Sequence, residues 1–236
     1  NMTHLTQVED AKHGVHAAGG TPREFTTISV SDGIGMNHEG MKFSLVSREL
    51  IADSIEAVIH GHAYDGLVGF GGCDKTLPGV MMGMVRVNVP SVFVYGVSAL
   101  PGRVGGRDIS VLDAYEGIGA VQTGTMEETE LRMLEMACKP TIGACAGQFT
   151  ANTMAWVSEA IGLALLNSSG APAPYESRDQ FCAASGEAVM NLIEKNIRAR
   201  DVVTLKSLQN AARVVACTGG STNAALHLPA IANEAG

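Results

Sequence analysis

Short apolar or β-branched segments alternate with longer segments of helical periodicity in the first hundred residues, and this alternation most constrains the fold. Residues 25–30, 66–70 and Ser91–Tyr95 predict strands. Between them, residues 44–62 carry apolar side chains at helical spacing, with Arg48 and Glu49 on the opposite, polar side. A further helix is predicted from about Pro78 to Val87. Strands that alternate with helices predict an α/β fold with a parallel sheet.

The rest of the chain predicts many helices flanking that sheet, in a single α/β domain that covers residues 1–236. The predicted helices are 5–17, 111–120, 127–137, 148–163, 183–196, 205–216 and 222–234. Residues 167–178, with the sequence NSSGAPAPYESR, predict a long surface loop.

Charge and hydropathy exclude several classes of function. The net charge is −8 and there is no basic stripe, so no nucleic-acid partner is expected. The longest nearly apolar run, residues 87–100, is too short to span a membrane, and we find no secretory signal. We therefore expect a protein that binds no membrane and lies in the cytoplasm, or in an organelle matrix if the source is eukaryotic.

The five cysteines are odd in number and widely spaced, so a disulfide framework is not predicted. Cys138, Cys182 and Cys217 are interpreted as small buried apolar side chains. Cys145 differs because small residues surround it in GACAGQFTANTM. That composition leaves room for a bulky ligand, or allows close backbone packing at a helix start.

Two polar loops follow predicted strands, and ligands of open α/β sheets bind beyond the carboxyl ends of strands. The first loop contains Asp32, and the second contains Cys73, Asp74 and Lys75. Carboxylates suit Mg²⁺, whereas a thiolate suits a softer metal, so two adjacent metal centres are one interpretation. The alternative is that an Asp before a Gly is an ordinary turn residue. Likewise, the GGSTN segment at residues 219–223 could hold a carboxylate at a helix start, but a Ser or Thr cap is the simpler interpretation.

Other catalytic signatures are missing from the sequence: it has no P-loop, no complete dinucleotide fingerprint, no zinc-protease helix and no G-x-S-x-G elbow. Taken together, however, the strings SDGIGMNHEGMKFSLVSRELIADSIEAV, GCDKTLPGVMMG, ACAGQFTANTM and GGSTNAALHL resemble the dihydroxy-acid dehydratase family. That family also includes 6-phosphogluconate and sugar-acid dehydratases. The similarity runs over essentially the whole chain, in the same order.

The resemblance implies two cofactors. Cys73 and Cys145 match cysteines that bind an iron–sulfur cluster, either [2Fe–2S] or [4Fe–4S]. Asp32 and Asp74 match Mg²⁺ ligands, and Lys75 matches a lysine that binds Mg²⁺ as a carbamate. A charged lysine cannot bind a cation, whereas its carbamate offers oxygen ligands.

The resemblance also implies parts beyond these residues. The family's first cluster cysteine would lie just before Asn1, and its catalytic serine base and a further Mg²⁺ glutamate belong to a C-terminal β-barrel-like domain. We therefore expect residues 1–236 to be an N-terminal domain that has no catalytic base and is inactive alone. The family's Gly-Met after the third cysteine is replaced here by residues 146–148, Ala-Gly-Gln.

The activity implied is dehydration of 2,3-dihydroxy-3-methylbutanoate, or its homologue, to the 2-oxo acid in valine and isoleucine biosynthesis, by a homodimer or homotetramer. Apolar residues near Lys75 and the lack of nearby cations argue against a phosphorylated substrate, and Arg103 and Arg107 are expected on the surface or at a subunit contact. The alternatives are a sugar-acid dehydratase and a metal-binding fragment without turnover. An electron carrier is disfavoured, because redox clusters usually have four closely spaced cysteines.

Overall fold

Helices surround a small parallel sheet in the computed structural model, which describes residues 2–236 and their side chains from His4 onward. In chain order the helices are α1 (Met2–Ala17), α2 (Asp32–Gly35), α3 (Ser44–His62), α4 (Thr76–Val87), α5 (Val111–Gln122), α6 (Glu128–Ala137), α7 (Thr150–Ala160), α8 (Ser177–Lys195), α9 (Ala199–Val202), α10 (Leu205–Cys217) and α11 (Ala224–Ala235). The strands are β1 (Leu67–Gly71), β2 (Ser91–Tyr95), β3 (Gly102–Val104) and β4 (Arg107–Ile109), and a 3-10 turn spans Glu39–Phe43.

The parallel sheet is formed by β1 and β2, with Leu67 opposite Ser91 and Gly71 opposite Tyr95. On the other edge of β2, the Phe93 N–H donates to the Leu163 carbonyl at 2.7 Å. The predicted α/β fold with a parallel sheet flanked by many helices is therefore confirmed. In the described part of the chain, every helix is too short or too polar to cross a membrane.

Helix α4 lies at the centre of the main core, because all of its residues except Arg86 are buried. It packs against β1, α3 and α11. The contact with α3 depends on Gly79 and Gly83: a Cβ at Gly79 would meet the Arg48 carbonyl at 2.9 Å, and one at Gly83 would meet Ile55 Cδ1 at 2.9 Å. This close approach brings the start of α3 next to the start of α4.

A second, smaller core lies apart from the first. The β3–β4 hairpin and helices α5 and α6 bury Ile109, Ala114, Leu134 and Cys138 against one another. Arg103 and Arg107 lie on this hairpin with 73% of each side chain exposed, as expected of surface residues.

The predicted strand at residues 25–30 is wrong. Among the described residues this segment pairs with no strand; instead it lies against α3, where Thr27 Oγ1 and Ser54 Oγ share a hydrogen bond. A β-branched composition indicates a fit to a half-buried surface, and here that surface is a helix.

Three burial predictions are also corrected. Residues 167–178 are not simply a surface loop, since Ser168, Ser169 and Arg178 are buried. The Glu159 carboxylate accepts the Ser169 N–H at 2.6 Å, so a side chain of the protein, rather than water, satisfies this backbone group of the loop. Cys217, at the end of α10, is exposed rather than buried, whereas Cys138 and Cys182 are buried as predicted. Arg48 is buried rather than on a solvated face of α3.

Candidate metal centre

Lys75 brings the two predicted carboxylates together. Its Nζ lies 3.0 Å from Asp32 Oδ2 and 3.1 Å from Asp74 Oδ2. The side chains of Lys75, Asp32 and Asp74 are only 7%, 9% and 17% exposed. Ser44, the first residue of α3, donates its hydroxyl to Asp32 Oδ1 at 2.6 Å. The structure thus contains a nearly closed polar centre with two carboxylates around one ammonium group.

Different local structures deliver the two halves of this centre. Cys73, Asp74 and Lys75 form the turn between β1 and α4, in which Thr76 Oγ1 accepts the Cys73 N–H at 2.8 Å. Asp32 instead begins the short helix α2 after an irregular segment. The expectation that Asp32 follows a strand is therefore wrong, although its carboxylate reaches the predicted neighbours.

The two carboxylates differ in their affinity for a proton. Burial and the adjacent Asp74 raise the pKa of Asp32 above its ordinary value. Burial would also raise the pKa of Asp74, but His227, Asp32 and the Lys75 ammonium outweigh burial and hold that pKa below its ordinary value. Asp74 is therefore the carboxylate that stays ionised most readily.

The start of α11 approaches Asp74 from the other side, through Asn223, which directly precedes the helix, and His227 within it. Asn223 Nδ2 lies 3.4 Å from Asp74 Oδ2, and also donates to Thr150 Oγ1 at 2.9 Å. His227 Nε2 lies 3.9 Å from Asp74 Oδ1, and neither of these two buried atoms has a hydrogen-bond partner in the described part of the chain.

The candidate cluster cysteines lie at the same edge of the sheet. Cys73 Sγ is 3.7 Å from Ser31 Oγ, directly before Asp32. Cys145 lies on a loop held beside β2, because the Ala144 N–H donates to the Val97 carbonyl at 2.7 Å. Burial raises the pKa of the Cys145 thiol, and the nearby Cys73 adds to this effect.

A partly buried chain of hydrogen bonds stabilises the loop that carries Cys145. Tyr95, at the end of β2, donates its hydroxyl to Asn152 Oδ1 at 2.7 Å. The Asn152 amide in turn donates to the carbonyls of Gly147 and Cys145. The position of Cys145 is thus fixed by the strand end that lies next to Cys73.

Comparison with known proteins decides the family. Residues 1–236 match the family described as dihydroxy-acid/6-phosphogluconate dehydratase N-terminal. The chain belongs to this dehydratase family. It is 66% identical over its whole length to a dihydroxy-acid dehydratase of Dinoroseobacter shibae and 63% identical to one of Pelagibacter ubique. A dihydroxy-acid dehydratase of Acidothermus cellulolyticus is 54% identical over 95% of the chain. The chain spans about two fifths of the length of these dehydratases.

The donor set of this chain fits both of the implied cofactors. Hard oxygen donors and thiols lie side by side, and Asp32 Oδ2 and Asp74 Oδ2 both face the buried position that the Lys75 ammonium fills, as two ligand oxygens of a cation would. Within the described residues, no three His, Cys, Asp or Glu side chains already form a metal-binding group. A third hard ligand would have to come from a modified Lys75 or from another part of the protein.

Two residues of this site, Asn223 and His227, are not predicted as site residues from the sequence. Asn223, directly before α11, and His227, within α11, contact Asp74 although they lie about 150 residues away in the chain. Their signal is the GGSTNAALHL string, which carries part of the family resemblance, while its GGSTN segment alone predicts either a cap or a carboxylate-binding helix start. A cap-like turn is present, because Ser221 Oγ accepts the Asn223 N–H at 3.2 Å, and Ser221 also bonds with Thr150.

Proposed function

We propose that the protein to which this chain belongs dehydrates a 2,3-dihydroxy acid to the 2-oxo acid, using Mg²⁺ and an iron–sulfur cluster. The observation that carries the proposal is the convergence of Asp32 and Asp74 on Lys75, directly beside Cys73. The relatives at 61–66% identity are named dihydroxy-acid dehydratases, which supports the same reaction.

Asp32, Asp74 and Lys75 would hold Mg²⁺. The Lys75 ammonium now lies between the two carboxylates, where it balances their charge as a cation would. Conversion of Lys75 to a carbamate would remove that positive charge and add oxygen ligands. Bound Mg²⁺ would supply positive charge that orients the substrate carboxylate and stabilises a developing enolate. Ser44 and Asn223 keep the two carboxylates oriented, and the burial of the centre excludes water.

Cys73 and Cys145 would supply two thiolates to the cluster, and the resemblance places a third cysteine outside these residues. An iron without a cysteine ligand would supply a Lewis acid for the departing hydroxyl group. The Tyr95–Asn152 chain holds the Cys145 loop in place for this role. The proton acceptor at C2, a serine by resemblance, is likewise expected outside the chain. Whether the cluster is [2Fe–2S] or [4Fe–4S] is left to metal and sulfide analysis.

A branched 2,3-dihydroxy acid, such as 2,3-dihydroxy-3-methylbutanoate, is the proposed substrate. The names of the relatives support it, while the argument from apolar residues after Lys75 does not. Leu77, Val80 and Met81 are buried in the main core and so line no substrate cavity. The homodimer or homotetramer and the cytoplasmic or organelle-matrix location stay predictions.

Turnover by the full-length protein tests the proposal. Iron, sulfide and Mg²⁺ should be measured, and 2,3-dihydroxy-3-methylbutanoate should be compared with arabinonate, xylonate and gluconate. We expect the highest kcat/KM on the branched acid. A higher kcat/KM on a sugar acid would overturn the proposed substrate but not the proposed dehydratase activity. Full metal content without dehydration of any of these acids would overturn the function and favour a metal-binding role.

A further inference from the structure

His227 is fully buried beside the candidate metal centre, and the proposed reaction gives it no role. It lies in the first half of α11, with its Nε2 3.9 Å from Asp74 Oδ1. This separation is longer than a hydrogen bond, so both atoms count as buried and unpartnered in the described part of the chain. Burying two such atoms face to face has a cost, which calls for an explanation.

Arg48 fixes which nitrogen of His227 carries the proton. Arg48 Nη1 lies 3.2 Å from His227 Nδ1. A guanidinium group has donors and no acceptor, so Nδ1 must accept this hydrogen bond. In the neutral imidazole the proton is then on Nε2, which faces Asp74. Arg48 is itself held by Glu49, whose carboxylate accepts from Arg48 Nη2 at 2.6 Å and from Nε at 3.0 Å.

The two oxygens of Asp74 therefore face different surroundings. Oδ2 faces Lys75 at 3.1 Å and Asn223 at 3.4 Å, while Oδ1 faces the N–H of His227. We propose that Arg48 and His227 are positioning residues, which orient the Asp74 carboxylate for the divalent cation by presenting a fixed N–H to Oδ1. This inference rests on the proposed function, because it needs Mg²⁺ at Asp74. Such outer partners of metal ligands tune metal affinity in other proteins.

Two substitutions of His227 separate its two nitrogens. His227→Gln places an amide N–H where Nε2 was and removes the acceptor for Arg48. His227→Asn keeps an acceptor where Nδ1 was and removes the N–H that faces Asp74. In full-length protein, Mg²⁺ binding measured by calorimetry should weaken by roughly 10–100-fold in His227→Asn and His227→Leu. The Mg²⁺ affinity of His227→Gln should stay within about threefold of that of the parent, a smaller change than the loss of an outer partner usually causes.

Arg48→Met tests the other half of the pair, since without its donor His227 can place the proton on Nδ1. Mg²⁺ affinity should fall in this variant too. Adding His227→Gln should restore it in the double variant, because the glutamine amide always carries N–H groups and does not depend on Arg48 to place its proton. Glu234→Gln is the matched control: it weakens the bond between α11 and Arg86 without touching Asp74, so Mg²⁺ affinity should not change. Thermal unfolding shows that each variant is folded.

The Asp74→Asn variant distinguishes a wrong metal site from a wrong positioning role for His227. If this variant binds Mg²⁺ as the parent does, the proposed metal site is wrong, and the positioning role is overturned with it. If Asp74→Asn loses Mg²⁺ but His227→Gln and His227→Asn bind equally, the metal site stands and the positioning role alone is overturned. Weaker Mg²⁺ binding in His227→Asn and His227→Leu, with binding close to that of the parent in His227→Gln, supports the inference.

Discussion

Neighbouring residues Cys73 and Asp74 offer opposite kinds of ligand, so substitutions should separate the two proposed metal sites. In the full-length protein, Asp74→Asn should abolish turnover and weaken Mg²⁺ binding, because it removes a hard oxygen ligand. The loss should exceed the roughly 10–100-fold that outer-shell changes cause. The visible absorbance of the cluster should persist, since both thiolates remain. Metal analysis and absorption spectra check both effects.

Cys73→Ser is the reciprocal variant, which should lose cluster absorbance while the Asp32 and Asp74 carboxylates remain. An Asp74→Asn protein that loses iron but keeps its affinity for Mg²⁺ would reverse the assignment of the two ligands.

His4 should make stability fall on acidification. Burial, with a contribution from the Arg178 charge, lowers the pKa of His4 from 6.5 to about 4. Between pH 6.5 and about pH 4, His4 binds a proton in the unfolded chain but not in the folded chain. Stability is therefore lost as the pH falls through this window, by up to about 3 kcal/mol. Urea unfolding from pH 7 to pH 4.5 should show a shallower decline in His4→Gln. Parallel curves for the two proteins would contradict this.

Single residues of the site were predictable where the signal is local. Cys73, Asp74 and Lys75 occupy one turn, so their order in the chain already places them together. Helical periodicity predicts a solvated face for Arg48, because periodicity gives the direction of a side chain but not what lies there. Its partner His227 is 179 residues away, and no local pattern reports that contact. Tertiary structure alone reveals such pairs.

At the scale of elements, the packing of α3 on α4 depends on two glycines and can be tested with a third. Gly83→Ala should destabilise the fold by about 1–3 kcal/mol, because its Cβ would meet Ile55 Cβ at 3.0 Å in a filled core. Gly61→Ala, on the same helix pair but with no atom within 4 Å of its Cβ, should stabilise by about 0.5–1 kcal/mol. Chemical denaturation measures both. Equal effects of the two substitutions would refute a tight α3–α4 contact.

The bounds of elements could be predicted where burial and periodicity agree. Helix α3 and strand β2 begin and end at the predicted residues, because α3 has apolar residues at helical spacing and β2 is apolar throughout. Residues 25–30 have a similar composition to a strand, yet pairing requires a partner that the sequence does not reveal. The short helix α2, which holds Asp32, has too few residues to show any periodicity.

On the scale of the whole molecule, the two hydrophobic cores are unequal. The main core includes fully buried side chains from α3, α4, β2, α7 and α11, such as Ile51, Met84, Phe93, Met154 and Ile231. The small core has four buried residues, one each from β4, α5 and α6 and one, Cys138, directly after α6. Since apolar burial is the main stabilising contribution, the β3–β4 hairpin with α5 and α6 should open at a lower free energy than the rest.

Hydrogen exchange tests this order of stability. Amides of α5 and α6 should exchange faster than those of β2 and α4 under native conditions, because local opening exposes little apolar surface. Leu134→Ala truncates a buried leucine of the small core. Such a change costs roughly 2–5 kcal/mol in well-packed sites. It should therefore speed exchange in α5 and α6 and leave that in β2 nearly unchanged. Met154→Ala, in the main core, is the matched substitution and should speed exchange throughout. If Leu134→Ala accelerates β2 as much as α5, the molecule opens as one cooperative unit, and the Cys145 loop beside β2 is coupled to the hairpin.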